Sequence, residues 1–198
     1  MLTGKKQRKY LAKKGREWQD QLRSFDALRG DEALHLLRLA VKKIKAFARL
    51  SEACSGKAAV KDFRLLQKMF RQAGAVRDLG NRLELLEHFH EAPPGYRLQQ
   101  EQQKQIETTV FVDHIVEYRK RGRKAGRRLS HDVHGIHSGC VRKWYAGELV
   151  HISVLLTASG DRLHKARKKI KELLYVLKLL PSKLQDGLSL DTAYLDRL

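Results

Sequence analysis

Five basic residues in one short segment have a spacing that could bind phosphate. They are His35, Arg38, Lys42, Lys45 and Arg49, at offsets of 0, 3, 7, 10 and 14. On an α-helix these offsets fall within an arc of about 80°, beside a wide apolar face. Arginine offers forked donors to phosphate oxygens, and lysine offers a mobile positive charge. The segment is therefore a candidate anion-binding helix.

The same pattern occurs a second time, 129 residues later in the chain. His164, Arg167, Lys171 and Lys178 repeat the offsets 0, 3, 7 and 14, and Tyr175 lies on the same face. The two stripes contain almost no acidic residues, so i,i+4 ion pairs do not neutralise them. A charged helix face is usually a solvated surface, but an uncompensated row of like charges repels itself unless a polyanion occupies it. We interpret both basic stripes as binding surfaces.

Composition sets the class of the protein. The chain has 198 residues, a net charge of +19, 42% hydrophobic residues, 7% aromatics and 3 prolines, which favours one helical domain with an anionic partner. It contains no apolar run near the ~20 residues that cross a bilayer, and no apolar stretch follows the basic N-terminus, so we expect neither membrane insertion nor a signal peptide. Two cysteines, Cys54 and Cys140, form no disulfide framework, which makes a reducing cytoplasm the expected compartment.

The hydrophobic pattern predicts an all-α fold. Helical periodicity covers residues 3–27, 31–50, 58–72, 76–90, 98–129 and 160–180. Gly56 and Gly74 are predicted breaks, and Pro93-Pro94 marks the midpoint connection. Residues 131–157 are ambiguous because three glycines weaken a helix there, and 151–157 alone would pass for a short strand.

Three segments resemble the motifs of CHAD domains (conserved histidine α-helical domains). The segment 35–45 (HLLRLAVKKIK) resembles the opening motif, in which His-x-x-Arg precedes a basic run. Segment 75–79 (AVRDL) is similar to the Arg-Asp motif that follows, and segment 164–175 (HKARKKIKELLY) to the second histidine helix. The motifs occur in the family's order across about residues 30–180, and together they are more specific than any one alone.

The resemblance implies both an architecture and a function. It implies one CHAD-like domain over 1–198, built as two pseudo-symmetric antiparallel helical bundles around a basic central cavity, with halves 1–92 and 98–198 joined by 93–97. It implies binding of inorganic polyphosphate without catalysis or a cofactor, and hence association with polyphosphate granules. Glu172 and Leu174 depart from the motif, since basic residues are usual there, which predicts weaker binding by that half.

The site residues follow from the motif matches and the basic runs. The polyphosphate contacts are assigned to His35, Arg38, Lys42, Lys45, Arg77, His164, Arg167, Lys168, Lys171 and Tyr175. Auxiliary basic contacts are assigned to Arg49, Arg119, Arg123 and Arg127. Tyr175 fits equally well as a hydroxyl donor or as a packing residue, and Asp78 is expected to hold an arginine in place. Imidazole gains charge beside phosphate as the pH falls, so we expect tighter binding at about pH 6 than at about pH 8.

Other functions have weaker support. RNA binding is the main alternative, because the charge is high and the Arg-rich run 119–128 follows Tyr118, but few aromatics lie on the basic faces for base stacking. On an ideal helix His131, His134, His137 and Cys140 span about 180°, so they cannot all face one metal ion, although a neighbouring pair could. Gly135 and Gly139 allow a non-helical arrangement that could gather them, and contact of one or two of these histidines with an anion is the alternative. The sequence contains no phosphate-cradling loop, nucleophile elbow or paired carboxylates, so we expect no enzyme. It does not indicate an oligomeric state.

Overall fold

The structure is a computed structural model that describes residues 1–56, 63–89, 93–157, 160–186 and 188. Within these ranges the helices are α1 (Gly4–Leu28), α2 (Asp31–Ser55), α3 (Arg64–Phe89), α4 (Tyr96–Asp113), α5 (Ile115–His131), α6 (Ser138–Leu156), α7 (Asp161–Leu177) and α8 (Ser182–Asp186). The described part contains no strand, only an isolated antiparallel bridge between Leu2 and Ile136. The predicted all-α class is confirmed. Within that part, every helix is too short or too polar to traverse a lipid bilayer.

Several predicted helix boundaries were wrong. Gly74 does not end a helix but lies inside α3, while His114 divides the predicted helix over 98–129 into α4 and α5. The segment 151–157 is not a strand, because α6 continues to Leu156. The late helix ends at Leu177, and Pro181 precedes the short α8. The predicted helix ends at Ala58 and His90 lie outside the described residues.

The described residues form two compact units, each built from segments distant in sequence. Unit 1 lies within Met1–Ala12, Lys42–Asp62 and Arg128–Leu198. Unit 2 lies within Lys13–Val41 and Phe63–Arg127.

Unit 2 packs around aromatic residues. Gly95, with a φ of 79°, makes the turn that starts α4, and α4 then packs against α3. Phe25 of α1 meets Phe111 of α4 edge to face, with ring centroids 5.3 Å apart. The indole of Trp18 lies against Gly122 of α5, where any Cβ would overlap the ring. A glycine is therefore required at this point of α5.

Unit 1 pairs α6 with α7 and anchors the N-terminus. The hydroxyl of Tyr145 donates to the carbonyl of Leu173 at 2.7 Å, and Lys169 pairs with Glu148 at 2.6 Å. Because later residues of α6 meet earlier residues of α7, these contacts make the two helices antiparallel. Burial raises the pKa of the Tyr145 hydroxyl, so it stays protonated and can donate.

A disulfide joins Cys54, near the end of α2, to Cys140, in the first turn of α6, within unit 1. Their Cα atoms lie 5.8 Å apart, which is usual for a disulfide. The expectation that two cysteines form no disulfide framework did not foresee this bond, because proximity across 86 residues cannot be read from the cysteine count. The cysteines no longer support a reducing compartment.

Candidate anion-binding site

The first basic stripe lies on a single continuous helix, α2. Asp31 and Glu32 occupy its first turn, where negative charge favours a helix N-terminus. Leu34, Leu37 and Val41 are fully buried and fix the orientation of the helix. Their burial leaves the adjoining basic face partly or fully open to solvent, as the spacing predicts.

In unit 1, residues of α2 and α7 form a surplus of positive charge. Arg49 of α2 donates to the carboxylate of Glu172 on α7. Lys45, one turn before Arg49, has a pKa below its ordinary value, mainly because burial penalises its charge and also because Arg49 and Lys168 are close. Glu172 raises this pKa and so offsets part of the effect. We call Lys45, Arg49, Lys168 and Glu172 the unit 1 cluster; it contains three cations and one acid.

The remaining predicted contacts of unit 1 flank this cluster. On α7, His164, Arg167 and Lys168 are exposed, while Lys171 and Tyr175 are half-buried. Lys42 of α2 is also exposed. The unit therefore offers phosphate both solvent-facing and partly desolvated cations, and the desolvated ones would bind an anion more strongly.

In unit 2, Arg38 is committed to a contact within the protein. Its guanidinium donates to the carbonyl of Phe70 on α3 at 2.7 Å and lies 4.3 Å from the centre of that residue's ring. Gly74 makes room, because a Cβ there would overlap the guanidinium. Burial lowers the pKa of Arg38, Asp78 raises it and Arg77 lowers it. The charge of Asp78 thus acts on Arg38, and the expectation that Asp78 holds an arginine in place stays a prediction.

His35 is half-buried in unit 2, as is Arg77. The structure thus distributes the ten assigned contacts over both units. Unit 2 contains His35, Arg38 and Arg77. Unit 1 contains Lys42, Lys45, His164, Arg167, Lys168, Lys171 and Tyr175.

The auxiliary arginines differ in their environments. Arg49 belongs to the unit 1 cluster, and Arg119 of α5 donates to Asp26 at 2.8 Å. Arg123 and Arg127 are exposed on α5. Tyr118 is fully buried, and burial raises its pKa to about 12. Its ring therefore cannot serve as a stacking platform for a base, which removes one argument for RNA.

The histidine and cysteine pattern at residues 131–140 is not gathered into a metal site. Cys140 is bonded to Cys54, and no group of three potential ligands comes together among the residues that the structure describes. Instead the segment anchors the N-terminus. The buried side-chain amide of Gln7 donates to the carbonyls of Leu2 and His134.

Sequence reasoning missed the partner of Glu172. A single acid within a basic run signalled a specific ion pair, but nothing in the sequence pointed to Arg49, 123 residues away. It also missed the role of Gly74, which was read as a helix breaker. A glycine inside a regular apolar pattern can equally indicate a close approach of another group, here the Arg38 guanidinium.

Comparison with known proteins agrees with the motif resemblance. The family model described as the CHAD domain matches residues 9–198. The chain belongs to the CHAD family. No curated protein and no solved structure matches this chain.

Proposed function

We propose that this protein binds linear inorganic polyphosphate, without catalysis, through the unit 1 cluster and the cations that flank it. The family to which the chain belongs is associated with polyphosphate binding. The pseudo-symmetric pair of bundles around a basic cavity, and an association with polyphosphate granules, are parts of this proposal. A solved complex with the ligand would test the arrangement.

The observation that carries the proposal is the environment of Lys45. Its ammonium is partly desolvated and lies near two further cations, Arg49 and Lys168, while Glu172 raises its pKa and offsets part of their effect. Such an arrangement costs free energy in the free protein, since like charges are held together in a medium of reduced dielectric constant. A bound phosphate chain would offset this cost with charge-assisted hydrogen bonds.

Polyphosphate suits this surface because it can be recognised by charge and shape alone. Each phosphate unit presents acceptor oxygens and has no base edge to read. Arg167 can donate a fork of N–H groups, whereas Lys42 and Lys171 act as point charges. The proposal assigns no residue a chemical step.

The test is a calorimetric titration with long-chain polyphosphate of the wild type and of Lys45→Gln/Lys168→Gln. This variant removes two cations and keeps the Arg49–Glu172 pair. We expect affinity to fall by roughly 10-fold to 100-fold, because each lost contact involves charged partners. The control, Lys9→Gln/Lys143→Gln, removes two exposed lysines from other helices of unit 1. An equal loss in the control would reduce the binding to general electrostatic attraction and overturn the assigned site.

A further inference from the structure

Helix α5 divides its cations into two groups. Arg119 pairs with Asp26 and Arg121 pairs with Glu117, so these two charges are compensated within unit 2. Lys120, Arg123 and Lys124 form neither a hydrogen bond nor an ion pair through their side chains within the described ranges, and the same is true of Arg127. The two neutralised arginines lie about 100° around the helix from Lys120, one on each side of the uncompensated cations.

The four uncompensated cations share one face of α5. We call Lys120, Arg123, Lys124 and Arg127 the α5 track. Their offsets of 0, 3, 4 and 7 fall within an arc of about 100° over about 10 Å of helix. All four side chains are exposed, and residues 118–131 contain no acidic residue.

 

The nearest acids along the chain are Glu117 and Asp132, on either side of this span. Glu117, three residues before Lys120, is the one acid at i,i+3 or i,i+4 spacing from a residue of the α5 track, and it pairs with Arg121 instead. The like charges at 120 and 124, and at 123 and 127, repel each other along the helix.

The opposite face of α5 holds the helix in place. Ile115, Tyr118, Ala125 and Leu129 are buried, and Gly122 allows the indole of Trp18 to lie directly against the helix backbone. The α5 track is consequently presented on a packed helix, which limits the conformational entropy that an anion must remove on binding.

We propose that the α5 track is a second binding site for condensed phosphate chains, contained in unit 2 and separate from the unit 1 cluster. This inference rests on the proposed function for the choice of ligand. Phosphate chains are favoured over RNA because α5 exposes no ring of Phe, Tyr or Trp. Tyr118 is buried, as are Trp18 and Phe111, so bases would find no stacking platform there.

The test follows backbone amide shifts by NMR while inorganic tripolyphosphate is added to the full chain. In the wild type we expect two sets of shifting amides, one in α5 and one in α2 and α7. Replacing all four track residues with glutamine should abolish the α5 set and preserve the other. With long-chain polyphosphate, the same variant should make the slope of log affinity against log salt shallower by about 3, because each phosphate that the protein neutralises contributes about 0.7 to the slope.

A control variant removes the same number of charges from separate helices. It replaces four exposed lysines with glutamine, namely Lys9, Lys68, Lys143 and Lys183. The inference is overturned if the α5 amides of the wild type do not shift, or if this control abolishes their shifts as well. The absence of α5 shifts in the wild type would overturn the inference by itself, so the test does not depend on whether the variant folds.

The two proposals can fail separately. Loss of the α5 set in the track variant, with the α2 and α7 set preserved, supports the second site, and wild-type shifts confined to α5 would support it while overturning the proposed function. Shifts confined to α2 and α7 overturn the second site and leave the proposed function intact. If RNA of equal charge shifts the α5 amides at lower concentration than polyphosphate does, the assignment of the ligand is wrong.

Discussion

Arg38 shows that one side chain of a binding motif can also hold the fold together. It lies in the first basic stripe, yet its guanidinium reaches the Phe70 carbonyl across the space left by Gly74. Because burying an unpaired charge is unfavourable, partial burial of this guanidinium increases the contribution of the hydrogen bond to stability. Gly74 is therefore needed for packing.

Gly74→Ala should destabilise the protein, by about 1–3 kcal/mol, because the added methyl overlaps the Arg38 guanidinium. Urea unfolding followed by circular dichroism measures this change. The control is Gly126→Ala, at a helical position with open space around it, which should stabilise by about 0.5–1 kcal/mol. Equal effects of the two substitutions would contradict the packing role of Gly74.

In the proposed site, Lys45 would link phosphate binding to pH. Its pKa lies below the ordinary value of 10.5 in the free protein, so its charge is lost earlier as the pH rises. Bound phosphate favours the charged form and raises this pKa, so binding should take up protons and weaken as the pH rises through the lowered value. Calorimetry in buffers of different ionisation enthalpy measures that uptake.

Lys45→Arg should reduce the proton uptake and flatten this loss of affinity, because arginine stays charged throughout the range. Lys143→Arg, at an exposed lysine of α6, should leave both unchanged. Identical pH profiles of the wild type and Lys45→Arg would exclude Lys45 from the site.

At the scale of elements, the Cys54–Cys140 disulfide fixes the end of α2 to the start of α6 within unit 1. Arg49 lies on the same helix, five residues before Cys54. The disulfide closes a long segment of chain, so most of its effect should come from restricting the unfolded state.

Cys54→Ala/Cys140→Ala should lower the free energy of unfolding by about 2–5 kcal/mol. Urea unfolding with and without a reductant measures it, and reductant should destabilise the wild type alone. If reductant leaves the unfolding midpoint of the wild type unchanged, the disulfide does not contribute to the stability of the protein in solution.

At the scale of the whole molecule, the net charge of +19 attracts any polyanion, so affinity alone does not identify the ligand. Discrimination must come from the arrangement of the cations. The buried Tyr118 and the surplus positive charge around Lys45 both favour a ligand that is recognised through its phosphate groups and not through bases.

Long-chain polyphosphate should therefore bind in preference to RNA of equal charge. Competition titrations at two salt concentrations measure the order of affinity, and both affinities should fall with salt, by a slope of about −0.7 per phosphate neutralised. Ready displacement of polyphosphate by RNA would instead favour the nucleic-acid function.

The sequence by itself determined the helical class, the two basic stripes and the family, because these depend on local periodicity and on short motifs. Only the tertiary structure decided which cations are committed elsewhere. Arg38 donates to the carbonyl of Phe70, 32 residues away, and Arg49 donates to Glu172, 123 residues away. Cys54 is bonded to Cys140, 86 residues away. Burial of Tyr118 likewise depends on packing. Side chains far apart in the chain come into contact only when the helices pack, so these contacts cannot be predicted from local periodicity or short motifs.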